Sequence, residues 1–220
     1  MPEMPMDTKT QLFFSGVRHF AAKGYEGATV RDICKDAGAA NLNAVNYYFG
    51  GKEGLYQVIL DAMFGELGKR WDQVDEAAPP DQSPEKRLKE YIRVYCTLLY
   101  AGDDLSREFT TIFLAEMVRP SPFLLDSAQR LVAPETERFL GLLKDLLGPA
   151  ADELLLRRCL VSTLGPLLYP AMVWPVTNNF FAAPVVEQLD VFVDHAHRFT
   201  MAGIREMRRA GSTTTGERHE

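Results

Sequence analysis

Residues 29–52 read TVRDICKDAGAANLNAVNYYFGGK, and the organisation of the chain follows from this stretch. Thr29 is a helix cap, and Asp32 three residues on completes a Thr-x-x-Asp box that satisfies orphan amides and suits the positive helix end. Val30, Ile33, Cys34 and Ala37 then recur at spacings of three, one and three, one apolar face of a 3.6-residue helix. Gly38 supplies the left-handed backbone that ends such a helix. Beyond it Asn41 or Asn43 caps a second short helix whose inward residues are Val45 and Phe49. Asn43, Asn46, Tyr47 and Tyr48 lie between them, facing outward.

Two short helices joined by a glycine turn, the second displaying amide and phenol groups, form a helix-turn-helix that sets its second helix in a DNA major groove. The competing reading is a helical hairpin that only packs. It would make the chain a protein–protein adaptor, and the charge balance is its main support. Residues 1–70 carry eight Lys/Arg and eight Asp/Glu, while the remainder carries 16 and 22, so the whole net charge of −6 lies outside this part. A neutral module binds DNA if its few cations face phosphates, with modest long-range steering.

The order TVRDICKDAG, then AVNYYFGGKEGLY, resembles the DNA-binding domain of the TetR/AcrR family of transcriptional regulators, from about Thr8 to Met63. One departure is that Gly38 to Phe49 is one residue longer than the family pattern, the extra residue falling among Ala39, Ala40 and Asn41. Residues 107–181 resemble the CecR-type C-terminal domain of one branch of that family, on REFTTIFLAEM, APETERFLGLLKDLLG and the apolar helix that follows. The resemblance implies a ligand-responsive regulator, a repressor acting as a homodimer on a palindromic double-stranded operator.

The chain itself reads as all-α, with about nine helices and no strand-like alternation. Asp7 or Thr8 caps a first helix with the stripe Leu12, Phe13, Gly16, Val17, Phe20 and Ala21, closed by Gly24. A three-helix helix-turn-helix domain is expected over 7–52 and a connecting helix over 53–76, where Leu55, Ile59, Met63 and Leu67 repeat every four residues. The segment AAPPDQSP, residues 77–84, is the candidate boundary. A larger helical ligand-binding and dimerisation domain follows over 83–209. Its first helix is opened by Ser83-Pro84 and faces inward with Leu88, Tyr91, Ile92, Tyr95, Cys96 and Leu99. The next spans Asp104–Val118 with Phe109, Ile112, Phe113 and Met117 inward. The segment up to Leu147 is broken at Pro134. Residues 151–175 are so apolar that burial in the core or against a second subunit is required. The last helix, from about Val185 to Arg209, turns Leu189, Phe192, Val193, Ala196, Phe199 and Ile204 to one face, and the two helices suggest a four-helix dimer seam. Residues 210–220 read as a disordered tail.

Candidate DNA contacts are Thr29, Arg31, Asn43, Asn46, Tyr47, Tyr48 and Lys52, positions that touch DNA by the family resemblance. Thr29 offers amide and hydroxyl to a phosphate at a helix start, and Arg31 reaches phosphate or guanine. Asn43 and Asn46 suit adenine edges, the two tyrosine hydroxyls suit phosphates, and Lys52 supplies a cation for the backbone. Phe109, Phe113, Met117, Leu167, Tyr169, Met172, Trp174 and Phe180 form an aromatic and methionine-rich set suited to a small apolar or aromatic effector. Pro166, Pro170 and Pro175 nearby would loosen the helix.

Other functions are disfavoured. Asp194, His195 and His197 do not make a metal site, because i and i+2 on a helix diverge, and no cofactor motif is present. No nucleophile elbow, phosphate loop or paired His/carboxylate constellation points to an enzyme. Cys34, Cys96 and Cys159 stand singly in apolar patterns, as reduced thiols of a cytoplasmic protein do. No 18-residue apolar run and no signal-peptide order appear, so no membrane partner is expected.

Overall fold

The structure, a computed structural model, describes residues 7–177, 186 and 188–216. Among these residues it is all α-helical, with ten α-helices and one π-helical turn. The count exceeds the expected nine because the stretch around Pro134 divides into α7 (Leu124–Ser127), a π turn (Ala128–Val132) and α8 (Ala133–Leu147). Proline removes an amide donor and crowds the carbonyl four residues back, so the helix is irregular in the turn just before Pro134.

The chain folds as two compact units. The first holds residues up to Leu67 together with Asp103–Val132. It is built on α1 (Thr8–Gly27), α2 (Val30–Asp36), α3 (Ala44–Phe49), the first part of α4 (Lys52–Ala77), α6 (Asp104–Val118) and α7. The stretch 103–132, which the sequence reading groups with 83–209, packs with the N-terminal helices. The Asp7 carboxylate accepts from Thr10 N at 2.7 Å to open α1, and at Gly24 (φ 68°) the helix breaks before a last turn to Gly27. Leu12, Val17 and Phe20 of α1, Ile33 and Cys34 of α2, Val45 of α3, and Leu55, Ile59 and Leu60 of α4 are buried together with Phe109, Ile112 and Leu124. Gly16 lets the side chains of α4 approach α1, since a Cβ there would lie 3.0 Å from the side chains of Ile59 and Leu55.

The second unit comprises Gly68–Gly102 and the chain from Ala133 onward. Ser83 Oγ accepts from Lys86 N at 3.3 Å to start α5 (Pro84–Tyr100), whose six expected inward residues are all buried. α8, α9 (Glu153–Thr177) and α10 (Leu189–Gly216) pack around α5 on Phe139, Leu143, Leu167 and Val193. α9 runs unbroken through Pro166, Pro170 and Pro175. α10 is helical through Gly216, since extending a formed helix adds one hydrogen bond per residue and no proline interrupts this one. Among the described residues no helix is long and apolar enough to cross a membrane.

Candidate nucleic-acid interface

The expected cap forms at Thr29, where Oγ1 accepts from Asp32 N at 3.1 Å and α2 begins at Val30. The Asp32 carboxylate takes a hydrogen bond from Lys23 Nζ at 3.0 Å, and this contact first, with the Thr29 hydroxyl beside the carboxylate second, holds its pKa below the usual carboxylate range. Asp36, at the other end of α2, is likewise lowered, by Arg18 first and Ser15 second. A further tie is buried, Ser15 Oγ donating to Ile33 O at 2.9 Å. Two ion pairs and one buried hydroxyl thus fix α2 against α1.

Gly38 ends α2 at φ 66°, as expected. Both asparagines then act at the start of α3, in different roles. Asn41 Oδ1 accepts from Asn43 N at 2.8 Å, while Asn43 occupies the cap position without a side-chain cap bond and accepts from Asn46 Nδ2 at 2.9 Å. The turn between α2 and α3 is thus closed by asparagine amides. Val45 and Ala44 are buried and Phe49 half-buried, so the outward face carries Asn43, Asn46, Tyr47 and Tyr48. Tyr47 is 80% exposed, and its ring meets that of Tyr48 edge-on at 4.9 Å. Thr29 and Arg31 are exposed as well.

Lys52 stands at the start of α4 and also touches α1. Its ammonium donates to Glu26 O at 3.3 Å and lies 4.5 Å from the centre of the Tyr25 ring, bracing the start of α4 on the end of α1. Three residues absent from the sequence reading shape this region. Gly54 admits the last carbonyl of α3, because a Cβ there would fall 1.8 Å from Phe49 O. Glu116, at only 3% exposure, accepts from Tyr56 OH at 2.6 Å and from Ser121 N at 2.8 Å, anchoring α6 to α4. Leu42, in the turn before α3, is 56% exposed. A leucine inside the polar run ANLN was the one signal that marked it.

The proposed effector set is not gathered by either unit alone. Phe109 is buried and Phe113 half-buried in the first unit, where Phe113 meets Phe64 edge-on at 6.5 Å. Met117, expected inward, is exposed, its neighbour Glu116 having taken the buried position. Leu167 is core of the second unit, whereas Tyr169 and Met172 face solvent. The Trp174 side chain and all of Phe180 lie outside the described residues. Two surface concavities, one at Phe14, Arg18 and Glu108 and one at Val191, His195 and Phe199, include none of the eight.

The geometry is that of a helix-turn-helix with a rigid back and a polar, aromatic front, and comparison with known proteins agrees. Residues 15–59 match the profile of the family described as bacterial regulatory proteins, tetR family. Residues 84–204, more than half of the chain, match the C-terminal domain of the HTH-type transcriptional dual regulator CecR. The chain belongs to the TetR family. As a TetR-family regulator with a CecR-type C-terminal domain, it is similar to YttP of Bacillus subtilis (strain 168), described as a probable HTH-type transcriptional regulator, at 36% identity over 86 residues. That match covers 39% of this chain and 41% of YttP, so it spans about two fifths of the curated relative. In fold the TetR-family chain is similar to the fatty acid degradation regulator FadR from Bacillus halodurans (TM-score 0.67, 18% identity, 92% of this chain and 99% of that one). It is equally similar to FadR from Bacillus subtilis, solved in complex with stearoyl-CoA (TM-score 0.67, 17% identity, 88% and 98%).

Proposed function

We propose that this TetR-family chain is a homodimeric repressor that binds a short palindromic operator through α3 and releases it when an apolar effector occupies its regulatory helices. The observation that carries this reading is the front of α3, where Asn43, Asn46, Tyr47 and Tyr48 stand in solvent on a helix whose back is fixed by Val45. In a dimer the two recognition helices must meet successive major grooves about 34 Å apart. A ligand that prefers another spacing therefore opposes operator binding, and the two affinities are coupled reciprocally.

Dimerisation is supported by α9 and α10. Leu154, Val161, Tyr169 and Met172 on α9, and Val191, Phe199 and Met207 on α10, are large apolar side chains left exposed in the single chain. Apolar area gathered in this way on two long helices marks a partner surface. For the effector, the stearoyl-CoA held by the Bacillus subtilis FadR makes a long-chain acyl-CoA the first compound to test.

The test is selection from a random duplex pool with the purified chain, followed by anisotropy titration on the enriched sequence. The expected result is saturable, sequence-selective binding by a dimer, reversed by stearoyl-CoA. Salt-dependent binding indifferent to sequence refutes operator recognition. Tyr47→Ala should abolish operator binding while leaving the dimer folded, as read by size-exclusion with light scattering, and full retained affinity would remove Tyr47 from the interface.

A further inference from the structure

Leu42 combines three properties that a packing residue would not show together. It stands at the entry to α3 with 56% of its surface exposed. Its backbone is nevertheless held on both sides: Asn41 Oδ1 accepts from Asn43 N at 2.8 Å, Asn41 O accepts from Ala44 N at 3.0 Å, and the Cys34 thiol donates to Leu42 O at 3.7 Å. Cys34 is itself fully buried in α2, so the turn is anchored to the core while the leucine side chain is held outside it. An exposed apolar group on a fixed backbone is suited to meeting a surface.

The place matters as much as the exposure. In a helix-turn-helix it is the N-terminal end of the second helix that contacts base edges, and Leu42 sits immediately before that end, beside Asn43. Leucine can neither donate nor accept a hydrogen bond. In the major groove the one apolar group among the base edges is the C5 methyl of thymine. The local charge favours reading by neutral groups. Lys23 is paired with Asp32 and Arg18 with Asp36, and the Lys52 ammonium is held by Glu26 O and the Tyr25 ring, while Arg31 and Lys35 remain exposed for the phosphates.

We propose that Leu42 is a specificity-determining residue that selects an A·T pair by packing on the thymine methyl, next to the base read by Asn43. This rests on the DNA-binding reading above. Its test uses the full chain and a duplex selected by it from a random pool, with each thymine replaced singly by deoxyuridine, which deletes the methyl and keeps the base pair. For the unaltered protein one replacement in each half-site should weaken binding about fourfold, the worth of one buried methyl-sized group. Leu42→Ala should bind the thymine duplex about that much more weakly, should not distinguish thymine from deoxyuridine there, and should melt with the unaltered protein, because the side chain it loses is outside the core. If the pool yields no selected sequence, operator recognition itself fails and takes this inference with it. If a sequence is selected but no deoxyuridine replacement weakens binding, or Leu42→Ala keeps the full methyl preference, operator recognition stands and the role given to Leu42 is overturned.

Discussion

Substituting alanine at Gly54 tests how the recognition helix is joined to the rest of its unit. A Cβ at this position would lie 1.8 Å from Phe49 O and 3.0 Å from Phe49 C, so the last carbonyl of α3 would have to retreat by more than about 1.2 Å to reach even the 3.0 Å limit of real contacts. The obstacle is backbone, which cannot rotate away as a side-chain tip can. Overpacking costs about 1–3 kcal/mol, at the upper end here, and the gain in helix propensity from glycine to alanine offsets about 1 kcal/mol of that. The net loss is about 2 kcal/mol, equivalent to roughly 4–8 °C for a chain of this size. Gly65 is the internal control: it lies in the same helix, and a Cβ there meets nothing within 4 Å. Gly65→Ala should therefore stabilise by about 0.5–1 kcal/mol. Differential scanning calorimetry of both variants, alongside anisotropy on a selected operator, should give opposite shifts in melting temperature and a loss of DNA affinity confined to Gly54→Ala. Equal, upward shifts with DNA binding intact would show that α3 and α4 are not joined through this close approach.

Tyr56→Phe should cost about 1.5–3 kcal/mol in urea denaturation, because the buried Glu116 carboxylate loses one of its two donors in a place water does not reach; an unchanged midpoint would mean that Glu116 is satisfied another way. Burial pushes the Cys96 thiol up to about 12, and a folded-state value above the unfolded one means stability that is intact below the ordinary thiol range and lost as pH rises from there towards 12. The unfolding free energy read from urea denaturation should thus fall between pH 8 and pH 10, by up to about 1.4 kcal/mol per pH unit for this group, and Cys96→Ala should flatten the decline. Phe199→Glu, placed on the exposed apolar stripe of α10, should yield a folded monomer by sedimentation velocity; persistence of a dimer would move the subunit seam elsewhere.

Sequence periodicity read α5 in full because its inward face is set by local spacing and its start by the Ser83-Pro84 pair. α6 shows where the same reasoning stops. Its ends at Asp104 and Val118 follow from the Asp103 cap and the Arg119-Pro120 stop, yet the face is rotated, with Glu116 buried and Met117 outside. The group that makes this tolerable is the hydroxyl of Tyr56, sixty residues earlier in the chain, and no spacing rule reaches that far. The outward side chains of α3 were legible for the opposite reason, since the cap at Thr29, the Asn41 turn and the glycine at 38 fix a short local geometry that leaves them in solvent. Lys52 was half legible: its place at a helix start is local, but its engagement with Glu26 and Tyr25 comes from the packing of α1. Composition marked the effector set as apolar without saying which of its members converge: Phe109 and Phe113 pack in the first core and Leu167 in the second, while Met117, Tyr169 and Met172 lie outside both.

The pairing of Lys23 and Arg18 with carboxylates of the same small domain bears on how the protein would find its target in a cell. A regulator with little spare positive charge adheres weakly to arbitrary chromosomal sequence, so few copies are sequestered on the vast excess of irrelevant sites. Occupancy of one promoter can then be maintained by a small pool of molecules, most of them free in solution and ready to meet the compound they sense.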